Sequence, residues 1–261
     1  MLAAHVTGAG PRLVLLHGFT QTGRSWDAVA PLLAARHTVV AVDAPGHGGS
    51  GTIAADLWES ARLVGEAGGE ADYVGYSMGG RIALHLALAA PRLVRRLVLV
   101  GAPAGIDGDG ERRERRAADE ALAASIERDG VEAFLERWLA SPLFATLPPG
   151  AAALDSRRTN TAAGLASSLR RAGTGTQEPL WDRLGSLAMP MLAVAGEHDA
   201  KFTALARRLG AAWGGPARVA IVEGAGHAVH LERPAAFVEE VERFLGEPAH
   251  HNASPTANSR P

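Results

Sequence analysis

The strongest constraint on the fold is a rhythm. Short apolar runs, most of them ending at or near a glycine, alternate with amphipathic helical stretches, the pattern of βα units around a parallel sheet. Strands are expected over residues 12–17, 38–42, 71–75, 97–100, 191–195 and 218–222, and their near-continuous Val, Leu and Ala content suits burial on both faces. Helices are expected over 25–35, 55–67, 78–89, 202–212 and 234–245, the last opening on Pro234, well placed in a first turn. The fold class is therefore α/β, a mostly parallel sheet with helices on both faces. At 261 residues the chain can bury one ample core, which argues for a single domain over 1–246.

Composition excludes several functions. With 28 acidic and 26 basic side chains the formal net charge is -2, so nothing favours nucleic acid as a partner. The absence of cysteine removes disulfides, thiolate catalysis and cysteine-ligated zinc. No apolar stretch approaches the roughly 18 residues that span a bilayer, and Met1 to Thr7 lacks a basic region followed by an apolar run. The expectation is a cytoplasmic protein without membrane insertion, a monomer or small homo-oligomer. Lys201 is the only lysine, so arginine content alone carries little meaning.

Residues 101–190 break the rhythm and are far too long for a simple connection, whose usual length is about 4–6 residues. Val131, Phe134, Leu135, Trp138 and Leu139 form one helical apolar stripe, charged Glu111 to Arg116 lead into another helix, and Leu165 with Leu169 mark a third. This insert reads as a helical cap over the sheet, approximately 103–188. Residues 247–261 show no periodicity and are expected to form a disordered tail.

Gly75-Tyr76-Ser77-Met78-Gly79 fits G-x-S-x-G between an expected strand and an expected helix. Small glycines allow the sharp turn that exposes the Ser77 hydroxyl, with a helix N-terminus facing developing negative charge. A serine needs a histidine to take its proton and a carboxylate to orient that histidine. Asp199 closes the expected strand 191–195 and His227 follows the strand 218–222; the order Ser, Asp, His is that of the α/β-hydrolase fold. The bland alternatives are a loop or helix cap for Asp199 and a solvated turn for His227. A metal cluster of His198, Asp199, His227 and His230 is a further alternative, made unnecessary by the triad. Phe19 and Met78 backbone N–H groups are candidate oxyanion-hole donors. His47 is read as structural in its turn, and Glu232 as serving the helix that follows it.

Arg81 lies one helical turn after Ser77, where a cation meets the positive end of the helix dipole, so a partner anion is expected: Asp199, a cap carboxylate or a substrate. The cap adds Arg112, Arg113, Arg115, Arg116, Arg157, Arg158, Arg170 and Arg171, while Trp138 and Tyr76 offer an aromatic wall and a hydroxyl. Two or three inward-facing arginines would suit a small polyanion, whereas an esterase pocket is mostly apolar.

Five segments carry a family resemblance: Gly75 to Arg81, Pro142-Leu143-Phe144-Ala145, Gly173-Thr174-Gly175-Thr176-Gln177, Gly196 to Phe202, and Gly226 to Pro234. Across about residues 2–245 the chain resembles the MenH family, the 2-succinyl-6-hydroxy-2,4-cyclohexadiene-1-carboxylate synthases. The resemblance implies a triad of Ser77, Asp199 and His227, and substrate-binding roles for Arg81, Arg115, Trp138 and Arg158, beside which Tyr76 stands as a substrate-binding candidate from its own place next to Ser77. It also implies a lyase that eliminates pyruvate from a tricarboxylate, with no cofactor or metal. Two rivals stand beside it: a serine hydrolase of small esters or carbon–carbon bonds, and a noncatalytic ligand-binding relative.

Overall fold

A computed structural model describes residues 1–247. The elements run β1 (Ala4–Thr7), β2 (Arg12–Leu16), α1 (Ala30–Leu33), β3 (Thr38–Val42), α2 (Leu57–Gly68), β4 (Ala71–Tyr76), α3 (Met78–Ala89) and β5 (Val94–Val100). There follow α4 (Asp109–Leu139), α5 (Leu154–Arg157), α6 (Ala162–Ala172), β6 (Met191–Gly196), α7 (Ala200–Ala212), β7 (Ala217–Val222), α8 (Val229–Glu232) and α9 (Pro234–Leu245). The strands form one seven-stranded sheet in the order β1-β3-β2-β4-β5-β6-β7, parallel except for β1.

Alternation along the strands divides the core. Val14 and Leu16 face one layer with α2, α3 and α7, while Leu13 and Leu15 face the other with α1 and α9. Each fully buried side chain of this kind stabilises the fold by about 1.5–3 kcal/mol. Because β4 and β5 lie near the middle of the sheet, their carboxyl ends form a rigid platform beneath the cap.

Four local expectations change. The helix expected over 25–35 is a 3₁₀ turn, Gly23–Trp26, followed by the short α1. Pro31 has no N–H to donate to a preceding turn, so it can only sit in a first turn, and the helix restarts there. Strand β5 begins three residues early, at Val94, because Arg95 and Arg96 are held by Asp72 at 3.3 and 3.7 Å and so run along a strand that their charge disguises. Strand β1, exposed throughout, carries no apolar pattern by which to be found. Strand β7 lies at the sheet edge and alternates in exposure instead of being buried on both faces.

The insert between β5 and β6 is helical. The two expected cap helices at its start merge into α4, interrupted only at Gly130, whose φ of 80° breaks the helical path. Leu165 and Leu169 of α6 join Ala123, Ile126, Phe134 and Leu135 of α4 in a separate small core, against which Phe19 and Trp138 pack. The tail expectation falls on residues 248–261, outside the described residues. Glu247, the first residue assigned to it, is held by Arg218 and accepts from Arg96 through its backbone carbonyl at 2.7 Å.

Candidate active site

Strand β4 delivers Ser77 into a turn with φ 50° and ψ -107°, a backbone that non-glycine residues seldom adopt. Its N–H is fixed on Val100 O at 2.8 Å. The flanking glycines are required by contact: a Cβ on Gly75 would lie 2.5 Å from Gly79 O, and one on Gly79 would lie 2.2 Å from Leu16 O. The turn therefore closes only with glycine at both places, and Met78 opens α3 with its N–H at the helix N-terminus.

Asp199 serves two partners. As the N-cap of α7, its Oδ1 accepts the Phe202 N–H at 3.1 Å, while Oδ2 lies 2.9 Å from His227 Nδ1. The capping role offered as the bland alternative thus coexists with the hold on His227. With Nδ1 donating to the carboxylate, Nε2 of the neutral ring is an acceptor. The His227 ring is buried against Phe202 and Tyr76, with ring centres 4.4 and 5.3 Å away.

Glu232 corrects its expected role. Rather than serving the following helix, its buried carboxylate accepts Gly226 N–H at 2.7 Å and Ala228 N–H at 2.9 Å, gripping the backbone on both sides of His227. A spacing of five residues through a non-periodic loop gave no sign of this.

Ser77 and His227 line a cavity of about 680 Å³ under the cap, together with Phe19, Met78, Arg81, Arg115, Trp138, Lys201 and Phe202. Arg81 is buried, donates to Ala172 O at 2.7 Å and has no carboxylate salt bridge among the described residues. Burial, then the neighbouring Arg115, pushes its pKa down to about 10, so it remains charged near neutrality. Arg115 is held by buried Asp119, Nε to Oδ1 at 2.8 Å, whose other oxygen accepts Gly175 N–H at 3.0 Å. Of the acids on the cavity wall, Asp107 is taken by Arg208 at 2.5 Å.

Tyr76 lies beneath the site, its ring between His227 and His230, and burial raises its hydroxyl pKa. It borders a smaller void of about 20 Å³, room for one water, beside Ser77 and His227. Arg157 points there. It is buried, donates through Nε to Ala152 O at 2.6 Å and through one terminal nitrogen to Thr20 Oγ1, and its other terminal nitrogen has no partner among the described residues. Burial pushes its pKa down to about 10.

Arg158 is not at the site. It is exposed on the cap, pairs with Glu132 at 2.6 Å and Asp155 at 3.1 Å, and lines a separate outer groove of about 1070 Å³ that contains no triad member. The short turn α5 sends adjacent residues in opposite directions, so Arg157 occupies the place expected of Arg158. Four residues are too few for a helical stripe to have distinguished them. His198 is exposed, and the described residues contain no cluster of three or more potential metal-ligating side chains.

A half-buried serine opening onto a cavity at a strand-to-helix turn, a carboxylate-held histidine, and a mostly parallel sheet beneath a helical cap define the α/β-hydrolase class. Residues 13–240 match the model of the Alpha/beta hydrolase family. A Bacillus subtilis (strain 168) protein, named as a candidate 2-succinyl-6-hydroxy-2,4-cyclohexadiene-1-carboxylate synthase, is 36% identical over 251 residues, 91% of each chain. The synthase of that name from Serratia proteamaculans (strain 568) is 34% identical over 95% of this chain and all of its own. The structure of MenH from S. aureus superposes with a TM-score of 0.85 at 27% identity, covering 94% of this chain and 97% of that one. The chain belongs to the alpha/beta hydrolase family and, within it, to the MenH synthases. No described helix is long and apolar enough to cross a membrane.

Proposed function

We propose that this chain eliminates pyruvate from 2-succinyl-5-enolpyruvyl-6-hydroxy-3-cyclohexene-1-carboxylate, giving 2-succinyl-6-hydroxy-2,4-cyclohexadiene-1-carboxylate in menaquinone biosynthesis. The Asp199–His227 pair draws the Ser77 proton toward His227 Nε2, and Ser77 Oγ acts as the base toward a ring proton. The broken C2–H bond supplies the pair that forms C2=C3, the ring's C3=C4 pair shifts to C4=C5, and the enolpyruvyl oxygen departs from C5 with its C–O pair; the proton held by His227 is returned to the released enolpyruvate, which becomes pyruvate. Phe19 and Met78 N–H groups and the arginines stabilise the charge that develops.

The observation that carries this reading is the charge of the cavity around the serine. Among the described residues Arg81 on the cavity wall and Arg157 on the adjoining void are buried without a carboxylate salt bridge, and Arg115, itself paired with Asp119, stands beside Arg81, while Asp107, Glu111 and Glu114 also line the cavity. Burying an uncompensated cation costs stability, so its natural complement is a substrate anion. A substrate with three carboxylates provides such anions; a small neutral ester does not. Trp138 and Tyr76 wall the bound ring in this proposal. It further includes a cytoplasmic enzyme, monomeric or a small homo-oligomer, acting as one domain over 1–246 with the cap at 103–188.

Pyruvate release on incubation with the enolpyruvyl substrate tests the reading directly. Elimination needs no acyl-enzyme, so rapid mixing should show steady turnover without a burst. A substrate-derived adduct on Ser77 forming and decaying at the turnover rate would instead establish covalent hydrolysis.

A further inference from the structure

The residue after Phe19 is held in an unusual way. Thr20 has φ of 68°, in the left-handed region that a β-branched side chain disfavours strongly. Its three polar groups are all taken by distant side chains. The N–H donates to His47 Nε2 at 3.3 Å, the carbonyl accepts Asn160 Nδ2 at 2.7 Å, and the hydroxyl accepts from Arg157. A strained backbone persists only where its surroundings over-determine it, and two of these three ties come from the cap.

Asn160 is buried and fully committed. Its Oδ1 accepts Gly48 N–H at 2.8 Å, and Nδ2 also donates to Arg157 O at 3.0 Å. It therefore joins the cap, the turn at Gly48 and the loop carrying Phe19. The third tie is equally fixed: His47 Nδ1 faces Pro45 O at 3.0 Å, which leaves Nε2 as the acceptor for Thr20. Burial lowers the His47 pKa to about 3, keeping that acceptor neutral.

We propose that Asn160 is a positioning residue: reaching down from the cap, it holds Thr20 in its left-handed conformation and so aims the Phe19 N–H at the oxygen where charge develops. This rests on the assignment of Phe19 N–H as an oxyanion donor. The cap is then part of the catalytic geometry as well as a cover, since Arg157, which donates to the Thr20 hydroxyl, also comes from the cap.

The test uses Asn160→Ala, Thr20→Gly and their double variant in the full chain. Asn160→Ala should lower kcat by about 10- to 100-fold, less than or comparable to loss of a whole donor, with KM within about twofold. Glycine adopts the left-handed region freely, so Thr20→Gly removes the need for a brace. In that background the same alanine should cost no more than about threefold. An equal cost in both backgrounds, or an effect on KM alone, overturns the proposal. Asn160→Asp keeps the acceptor for Gly48 but loses the donation to Thr20, and should match the alanine variant if bracing rather than folding is at issue.

Crystal structures of wild type and Asn160→Ala give a readout independent of turnover. Thr20 should leave the left-handed region and carry Phe19 N with it; an unmoved loop refutes the brace even if the enzyme acts on some other substrate. A displaced loop with unchanged kcat refutes it by the other route, removing Phe19 N–H from the oxyanion hole.

Discussion

Replacing Arg81 by methionine separates a substrate anion from an internal role for the cation. Arg81 sits in the first turn of α3, with its side chain buried and one donation to Ala172 O. Burial pushes its pKa below the usual guanidinium range, to about 10, a destabilisation of the charged form on the order of 3 kcal/mol. Methionine keeps an unbranched apolar stem and removes that cost. It also removes a charged hydrogen bond, worth about 1.5–3 kcal/mol. The two nearly cancel, so the thermal midpoint of Arg81→Met should be unchanged or a few degrees higher. Catalysis should respond differently. Truncating one partner of a buried charge pair costs about 2–5 kcal/mol, so kcat/KM should fall roughly 30- to 4,000-fold. Pyruvate formation followed continuously, and thermal unfolding of the same preparations, decide between the outcomes. A variant that is destabilised yet catalytically intact would refute the argument, because Arg81 would then serve the fold and the polyanion cavity would lose its central cation.

Ser77→Ala and His227→Ala should each lower kcat by about three orders of magnitude, and the double variant by little more, because residues acting as one unit are not additive; near-normal turnover of folded Ser77→Ala would remove the serine from the mechanism. Arg157→Met should lose at least about 30-fold in kcat/KM, whereas exposed Arg158→Met should stay within about twofold in steady-state kinetics; the reverse order would return the substrate contact to Arg158. Burial lowers His17 and His85 to about 4, and His47 and His230 to about 3. Folded-state values below the unfolded value of about 6.5 mean that the stability is complete above that pH and is lost as pH falls toward 4, while the unfolded chain takes up protons. Four such groups together cost on the order of 10 kcal/mol by pH 4, comparable with a domain's whole stability. Circular dichroism should therefore show cooperative unfolding between about pH 6 and 4, and a native signal persisting at pH 4 would contradict the neutral buried state of these rings.

The sequence by itself determined the α/β class and six of the seven strands, and it placed the candidate nucleophile and its candidate partners at strand ends. Alternation of apolar strands with amphipathic helices is a local property, and so is the glycine pattern that lets β4 turn sharply into α3. Asp199 and His227 were legible because the carboxyl ends of parallel strands meet in space whatever their separation along the chain. Arg81 was legible for the same reason, one turn beyond Ser77 on a helix whose direction was already known. The tertiary structure alone decided which neighbours the other side chains have. Arg157 and Arg158 are adjacent and chemically identical, yet one is buried on the void that Ser77 also lines, with a donor unpartnered among the described residues, and the other is paired on the outer cap. Their difference arises from the direction of a single short turn, which no periodicity encodes. Glu232 and Asn160 were likewise hidden, since they act by accepting or donating to backbone groups of loops that only the assembled fold brings within 3 Å. A hydrogen bond depends on position in space, and between a cap and a loop 140 residues earlier that position is set by packing rather than by sequence spacing.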